Sequence, residues 1–176
     1  MTILLIILAL IAILLIAAAF GKPGYTIVRN ITINKPKQQV FDYIRLLKSQ
    51  EEFSKWVMTD PNMKKTIIGT DGTVGAVYVW DSENKQAGKG EQEITDIKEG
   101  ERIDFEIRFE KPFKNTSEAY FTTVTTSDNQ TKVTWAFVGT TTYFMRVLHI
   151  VFNLKKVLGK DMETSLKNLK NLLESK

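Results

Sequence analysis

The chain has no cysteine and a single histidine, His149. The first absence excludes a disulfide framework and any thiolate metal site; it suits a reducing compartment, and a bacterial periplasm almost as well. The second leaves a metal centre short of ligands, because zinc sites draw three or four side chains from Cys, His, Asp and Glu. His149 sits between Leu148 and Ile150 in an apolar stretch and reads as a structural residue. Serines occur without a Gly-x-Ser-x-Gly elbow. Gly69-x-x-Gly72-x-x-Gly75 lacks the Lys-Ser/Thr ending of a phosphate loop, so turn glycines explain it. Neither a metal nor a cofactor is expected. Continuous basic stripes are missing as well: net charge is +4, but lysines alternate with glutamates, as in Lys85, Lys89, Glu91, Glu93, Lys98 and Glu99. Nucleic acid is therefore not an expected partner. Internal repeats and low-complexity segments are also lacking.

What is present begins at Thr2. Thr2 to Phe20 (TILLIILALIAILLIAAAF) holds no charge, no amide and no proline. As a helix it reaches about 28 Å, close to the roughly 30 Å hydrocarbon core of a bilayer. A buried core helix does not fit, since the whole circumference is apolar and a small domain covers only one side. Two readings stay open. One is a retained transmembrane anchor (residues 2–21) with a short glycine-bounded flexible linker at 22–24 and a globular domain over 25–176. The other is a cleaved secretory signal, for which Ala17-Ala18-Ala19 offers small residues at the cleavage site. No Lys or Arg precedes the run, whereas a signal's n-region is positive. Lys22, Arg29, Lys35 and Lys37 follow it, which puts the domain on the cytoplasmic side of a single-pass membrane protein. A cleaved signal would instead leave it secreted or periplasmic. Membrane lipids are the partner expected through the anchor, with anionic headgroups drawn to the positive excess. The remaining residues suffice for one domain with its own core.

Within that domain, Tyr25 to Asn34 alternates, with Tyr25, Ile27, Ile31 and Ile33 on one side. Asn34-Lys35-Pro36 stops this strand. Val40, Phe41, Ile44 and Leu47 then mark a helical face, and a second short helix is expected from Gln50 to Trp56. Lys65–Ile68, Val74–Asp81, Gly88–Ile97, Arg102–Glu110, Thr116–Thr126 and Thr131–Gly139 read as strands of an antiparallel meander. Ile103, Phe105, Ile107 and Phe109 face inward in the fourth of these. Tyr143 to Leu158 is strongly apolar and helical. After Gly159, Met162, Leu166, Leu169, Leu172 and Leu173 form a stripe that must be buried on the sheet. The class is α+β.

The segment Ile31-x-Ile33-Asn34-Lys35-Pro36-x-x-x-Val40-Phe41-Asp42-Tyr43-Ile44, followed by Trp56, resembles the opening of the SRPBCC superfamily. That group includes the START, birch-pollen-allergen-like and polyketide cyclase/dehydrase-like proteins. Gly72-Thr73-Val74-Gly75-Ala76-Val77-Tyr78-Val79-Trp80, Gly88-Lys89-Gly90-Glu91-Gln92-Glu93-Ile94 and Thr131-Lys132-Val133-Thr134-Trp135 are similar to the polyketide-cyclase-like branch. The resemblance covers nearly the whole chain after Gly24 and excludes the apolar run. It implies a helix-grip fold: a curved antiparallel sheet of about six to seven strands around the long C-terminal helix, with an apolar cavity between them.

Under that implication, Trp56, Tyr78, Trp80, Phe105, Phe109, Phe121, Trp135, Phe137 and Phe144 become candidates for the cavity wall, although each taken singly is better explained as core. Tyr78 and the tryptophans would supply polar atoms that orient a ligand. Glu91 and Glu93, two apart on one strand, share a face; they form either a solvent-facing row with Lys89 or an acid–base pair in the cavity. Arg29 interrupts an apolar face, either snorkelling at the sheet edge or reaching into the cavity to meet an acidic ligand or Glu91. Three functions follow as expectations: a membrane-anchored binding protein for a hydrophobic small molecule, a cyclase or dehydratase using Glu91, Glu93 or Tyr78, and a co-chaperone-like interaction module. Fold does not choose among them.

Leu8→Arg, near the centre of the apolar run, is expected to cost about 2.5–3.5 kcal/mol of membrane insertion. Fractionation should show weaker membrane retention with unchanged domain folding.

Overall fold

A computed structural model describes the chain from Met1 to Lys176 apart from Lys85; the side chains of Phe144, Met145, Leu148 and His149 are outside the description. Helix α1 (Thr2–Ala19) is the one described helix long and apolar enough to cross a membrane, with a mean hydropathy of 3.2. Only Ala18 in it is buried, so it is no core helix. There follow β1 (Gly24–Ile33), α2 (Lys37–Ile44), a 3-10 turn at Leu47–Ser49, α3 (Gln50–Phe53) and α4 (Lys55–Met58). The strands β2 (Lys64–Ile68), β3 (Val77–Asp81), β4 (Lys89–Lys98), β5 (Arg102–Lys111), β6 (Asn115–Ser127) and β7 (Gln130–Thr140) come next. Helices α5 (Tyr143–Phe152) and α6 (Leu154–Ser175) end the chain.

All pairings are antiparallel, in the order β1-β7-β6-β5-β4-β3-β2. Strands β1 and β2, neighbours in sequence, are thus the two edges, and the segment α2–α4 crosses between them. Helix α6 lays Met162, Leu166, Leu169 and Leu173 against the inner face, each at most 2 % exposed. They join Ile33, Phe41, Ile44, Phe53, Ile94, Ile103, Phe105 and Phe121 in one core. This is the helix-grip fold.

Several boundaries differ from the sequence reading, each for a physical reason. Strand β3 starts at Val77 rather than Val74, because Gly69, Gly72 and Gly75 hold φ of +83°, +77° and +85° and make an irregular loop. Asp71 in that loop accepts the N–H groups of Leu47 and Lys48 (2.7 and 3.1 Å), and Arg45 donates to the Gly72 carbonyl at 2.9 Å. The helix expected over 50–56 breaks at Ser54, which is extended (ψ 119°). Helix α6 satisfies the freed backbone groups: Lys55 N–H donates to Ser165 Oγ at 2.9 Å, and Asn168 Nδ2 to the Phe53 carbonyl at 3.2 Å. The break between the C-terminal helices falls at Asn153, in the left-handed conformation (φ 46°), not at Gly159. Gly159 lies within α6, where a Cβ would stand 2.2 Å from Arg29 Nη2. It is there to admit the arginine.

The joint after α1 is not the free linker that its composition suggests. Thr141 N–H donates to the Pro23 carbonyl at 2.7 Å, and Thr141 Oγ1 to the Lys22 carbonyl at 3.2 Å. Arg146 Nη1 donates to the carbonyls of Ala18, Ala19 and Gly21 at 3.2, 3.2 and 2.9 Å. A cation thus sits on the carbonyl end of the α1 dipole.

Leu166→Ala should destabilise the domain by about 2–5 kcal/mol in denaturant titration, as a fully buried leucine leaves a cavity. Lys167→Ala, one residue on and exposed, should stay within about 0.5 kcal/mol.

Candidate functional site

Where α6 lies over the sheet, the inner face is not completely filled. A partly open cavity of about 180 Å³ remains, bounded by α3 and α4 (Gln50, Ser54, Trp56), β3 (Tyr78, Trp80), β4 (Gln92), β5 (Ile107, Phe109), β7 (Trp135, Phe137) and α6 (Leu158, Met162). Of the nine aromatic residues expected there, Trp56, Tyr78, Trp80, Phe109, Trp135 and Phe137 line it. Phe105 and Phe121 do not; they are buried behind the wall and support it. Phe105 meets Phe121 edge-on at 6.0 Å, Phe121 packs on Trp135 at 4.9 Å, and Trp135 meets Trp56 edge-on at 5.7 Å. This aromatic row ties the deep core to the cavity surface. The Phe144 side chain falls outside the described residues.

Polar groups in the wall are few. Tyr78 is 3 % exposed, and its hydroxyl is buried without a hydrogen-bond partner. Burial, and next the Glu51 carboxylate, push that hydroxyl well above the ordinary tyrosine range, so it stays protonated and able to donate. Gln92 is its cross-strand partner, and Gln50 and Ser54 line the same space. Trp80 cannot serve as a donor to a ligand, because its Nε1 already donates to the Ala87 carbonyl at 3.0 Å and holds the β3–β4 hairpin closed. Exposed Gln86 in that hairpin marks the rim.

The three charged candidates stand elsewhere. Glu91 and Glu93 alternate with inward Gly90, Gln92 and Ile94, and therefore point to the outer face. There Arg108 donates to Glu91 at 2.5 Å, to Glu93 at 2.8 Å and also to Glu106. Those bonds raise the Arg108 pKa above its usual range. Lys89 turns instead to Glu110, at 3.0 Å. Arg29, on edge strand β1, donates to Glu163 of α6 at 2.5 Å and to the Val28 carbonyl at 2.8 Å. The Arg29 side chain there is about one-third exposed, at 32 %. None of the three lines the cavity, and among its described lining residues no side chain is charged. The sequence reading missed Gln92, although strand parity with Ile94 would have found it. Gln50, Leu158 and Met162 had no local signal, since they reach the cavity only through tertiary packing.

The cavity lies toward one end of the sheet. Register aligns Gly24 with Thr140, Phe109 with Asn115 and Asp81 with Lys89, so the start of β1, the end of β7, the end of β5 and the β3–β4 hairpin share that end. Trp80, Phe109 and Phe137 stand near it. It is the end at which α1 enters.

Comparison with known proteins agrees with this architecture. A protein from Mesorhizobium loti, MLL2253, superposes with a TM-score of 0.62 at 16 % identity, over 86 % of this chain and 98 % of that one. Ara h 8.0201 gives 0.61 at 13 % identity, over 87 % and 99 %. DynU16, from the dynemicin biosynthetic locus, gives 0.58 at 12 % identity, over 88 % of this chain and 48 % of its own. At such identities these likenesses show the fold alone. No curated protein matches the sequence. Residues 25–174, from the first strand almost to the end of α6, match the family described as polyketide cyclase / dehydrase and lipid transport, and the chain belongs to that family.

Proposed function

We propose that the protein is a membrane-tethered binding protein that holds a small, largely apolar molecule in the cavity beneath α6, with α1 retained as the anchor and the domain on the cytoplasmic side. The observation that carries this reading is the wall itself: apolar and aromatic, with one buried, unpartnered hydroxyl on Tyr78. An unpaired buried hydroxyl costs about 1–3 kcal/mol, which a ligand acceptor would recover. Such a site is shaped to bind and orient. Acid–base catalysis is less well served, because Tyr78 is the single ionisable group among the described lining residues and its proton is firmly held.

Size limits the ligand. About 180 Å³ is near the roughly 150 Å³ apolar cavity that takes up benzene and below the roughly 300–1,000 Å³ of drug-sized sites. A single ring or a short branched chain fits inside, with any longer tail passing the rim near Gln86. A poorly soluble ligand also explains the tether, since the bilayer is its reservoir.

The core lies wholly after Gly24 apart from Ala18, so a chain lacking its first 22 residues is suited to the test. Organic extraction and mass spectrometry should recover an apolar compound in stoichiometric amount; recovery of none, with no uptake of small aromatic or isoprenoid probes, would end the proposal. Tyr78→Phe should weaken binding of an acceptor-bearing ligand by up to about tenfold, the worth of one hydrogen bond. Leu158→Trp, at the half-exposed edge of the wall, should block uptake while leaving the melting temperature nearly unchanged.

A further inference from the structure

No residue of α5 is among the described residues that line the cavity, yet the helix is strongly apolar and its described side chains are only partly covered. Tyr143, Val147, Ile150 and Val151 recur at helical spacing and share a face. Tyr143, Ile150 and Val151 are 44, 50 and 54 % exposed, and Phe152 and Val157 beyond them 61 and 51 %. Helix α6, by contrast, buries its stripe. An apolar helical face left open to water is a liability unless something covers it.

We infer that α5 and the joint after α1 form a membrane-docking face, whose partner is a bilayer carrying anionic headgroups. The inference rests on the reading of α1 as a retained anchor. Continuity with α1 supplies the depth. Tyr143 Oη donates to the Leu15 carbonyl at 2.8 Å, one helical turn before Ala19 and thus about 6 Å inside the end of the span. Arg146 is fixed to the last carbonyls of the same helix. With α1 inserted, the start of α5 therefore stands at the headgroup–acyl boundary, where interfacial helices sink about 5–10 Å and tyrosine is favoured. Charge points to the same partner. Lys22, Arg146 and Lys155 line a cleft of about 320 Å³ between the joint and α5, with no acidic residue among its described lining. Lys156 follows directly in sequence, and Arg146 Nε is buried without a partner. A cationic cleft at headgroup level, beside an apolar helix face at acyl level, matches the layering of an anionic membrane surface. Docked in this way, the domain turns the cavity-bearing end of the sheet toward the lipid.

Because the chain has no cysteine, single-cysteine labelling of the full chain is direct. Val151→Cys, Leu8→Cys and Val124→Cys each carry an environment-sensitive fluorophore; Val124 is exposed on β6 near the opposite end of the sheet. The proteins are reconstituted in vesicles of phosphatidylcholine and phosphatidylglycerol, about 7:3, containing doxyl-lipid quenchers, a deep one read at Leu8 and a shallow one at Val151, both also read at Val124. Quenching at Leu8 and Val151 should exceed that at Val124 by about threefold or more. Phosphatidylcholine alone should lower the Val151 value about twofold and leave Leu8 unchanged. Quenching at Leu8 with Val151 no higher than Val124 overturns the docking face and leaves the anchor standing. Failure at both Leu8 and Val151 overturns the anchor reading itself. Equal Val151 quenching in the two lipid mixtures overturns the part assigned to the basic cleft.

Discussion

The contact on which the structure depends is the burial of the α6 stripe in the concave face of the sheet. Met162, Leu166, Leu169 and Leu173 are almost fully removed from water, each contributing about 1.5–3 kcal/mol. Neither partner is stable without the other: the sheet has one apolar face and the helix one apolar stripe. The same contact organises the crossing segment, because α6 also supplies Ser165 and Asn168 to the broken backbone around Ser54. Helix, sheet and crossing segment then enclose a space that no single element defines.

That space owes its character to what is used up elsewhere. The Trp80 indole is committed to Ala87, and Arg108 gathers the outer-face carboxylates. Arg29 is drawn to Glu163 at the edge, across a glycine that leaves room for it. Charge is thereby kept on the outside, where solvation makes it inexpensive. The interior is left with apolar and aromatic surface, the Tyr78 hydroxyl and the neutral side chains of Gln50, Ser54 and Gln92.

Geometry also couples this space to the N-terminus. Four residues separate α1 from β1, a reach of roughly 18 Å at most between the flanking residues even when extended. Hydrogen bonds from Thr141 and Arg146 shorten that freedom further. The end of the sheet nearest the apolar helix is the end bearing Trp80, Phe109 and Phe137. The joint is thus short and pinned, and the cavity lies toward the same end of the sheet.

By itself the sequence determined the features that local periodicity encodes. These are the uninterrupted apolar helix, the alternation of β1 and β5, the leucine stripe of α6 and the order of elements that resembles the family. Side-chain parity along a strand is a local property, so inward and outward faces were legible for Ile103, Phe105 and Ile107, and in principle for Glu91, Gln92 and Glu93. Tertiary structure alone decided which inward residues line the cavity. Phe105 and Phe109 share one face of β5, yet one is buried in the core and the other lines the cavity, which lies toward the end of the sheet that carries Phe109. It also decided that the helix breaks at Asn153, that the joint is bound by Thr141 and Arg146, and that the Tyr78 hydroxyl goes unpaired. Each depends on atoms distant in sequence, brought together by packing, and pattern along the chain carries no record of such distances.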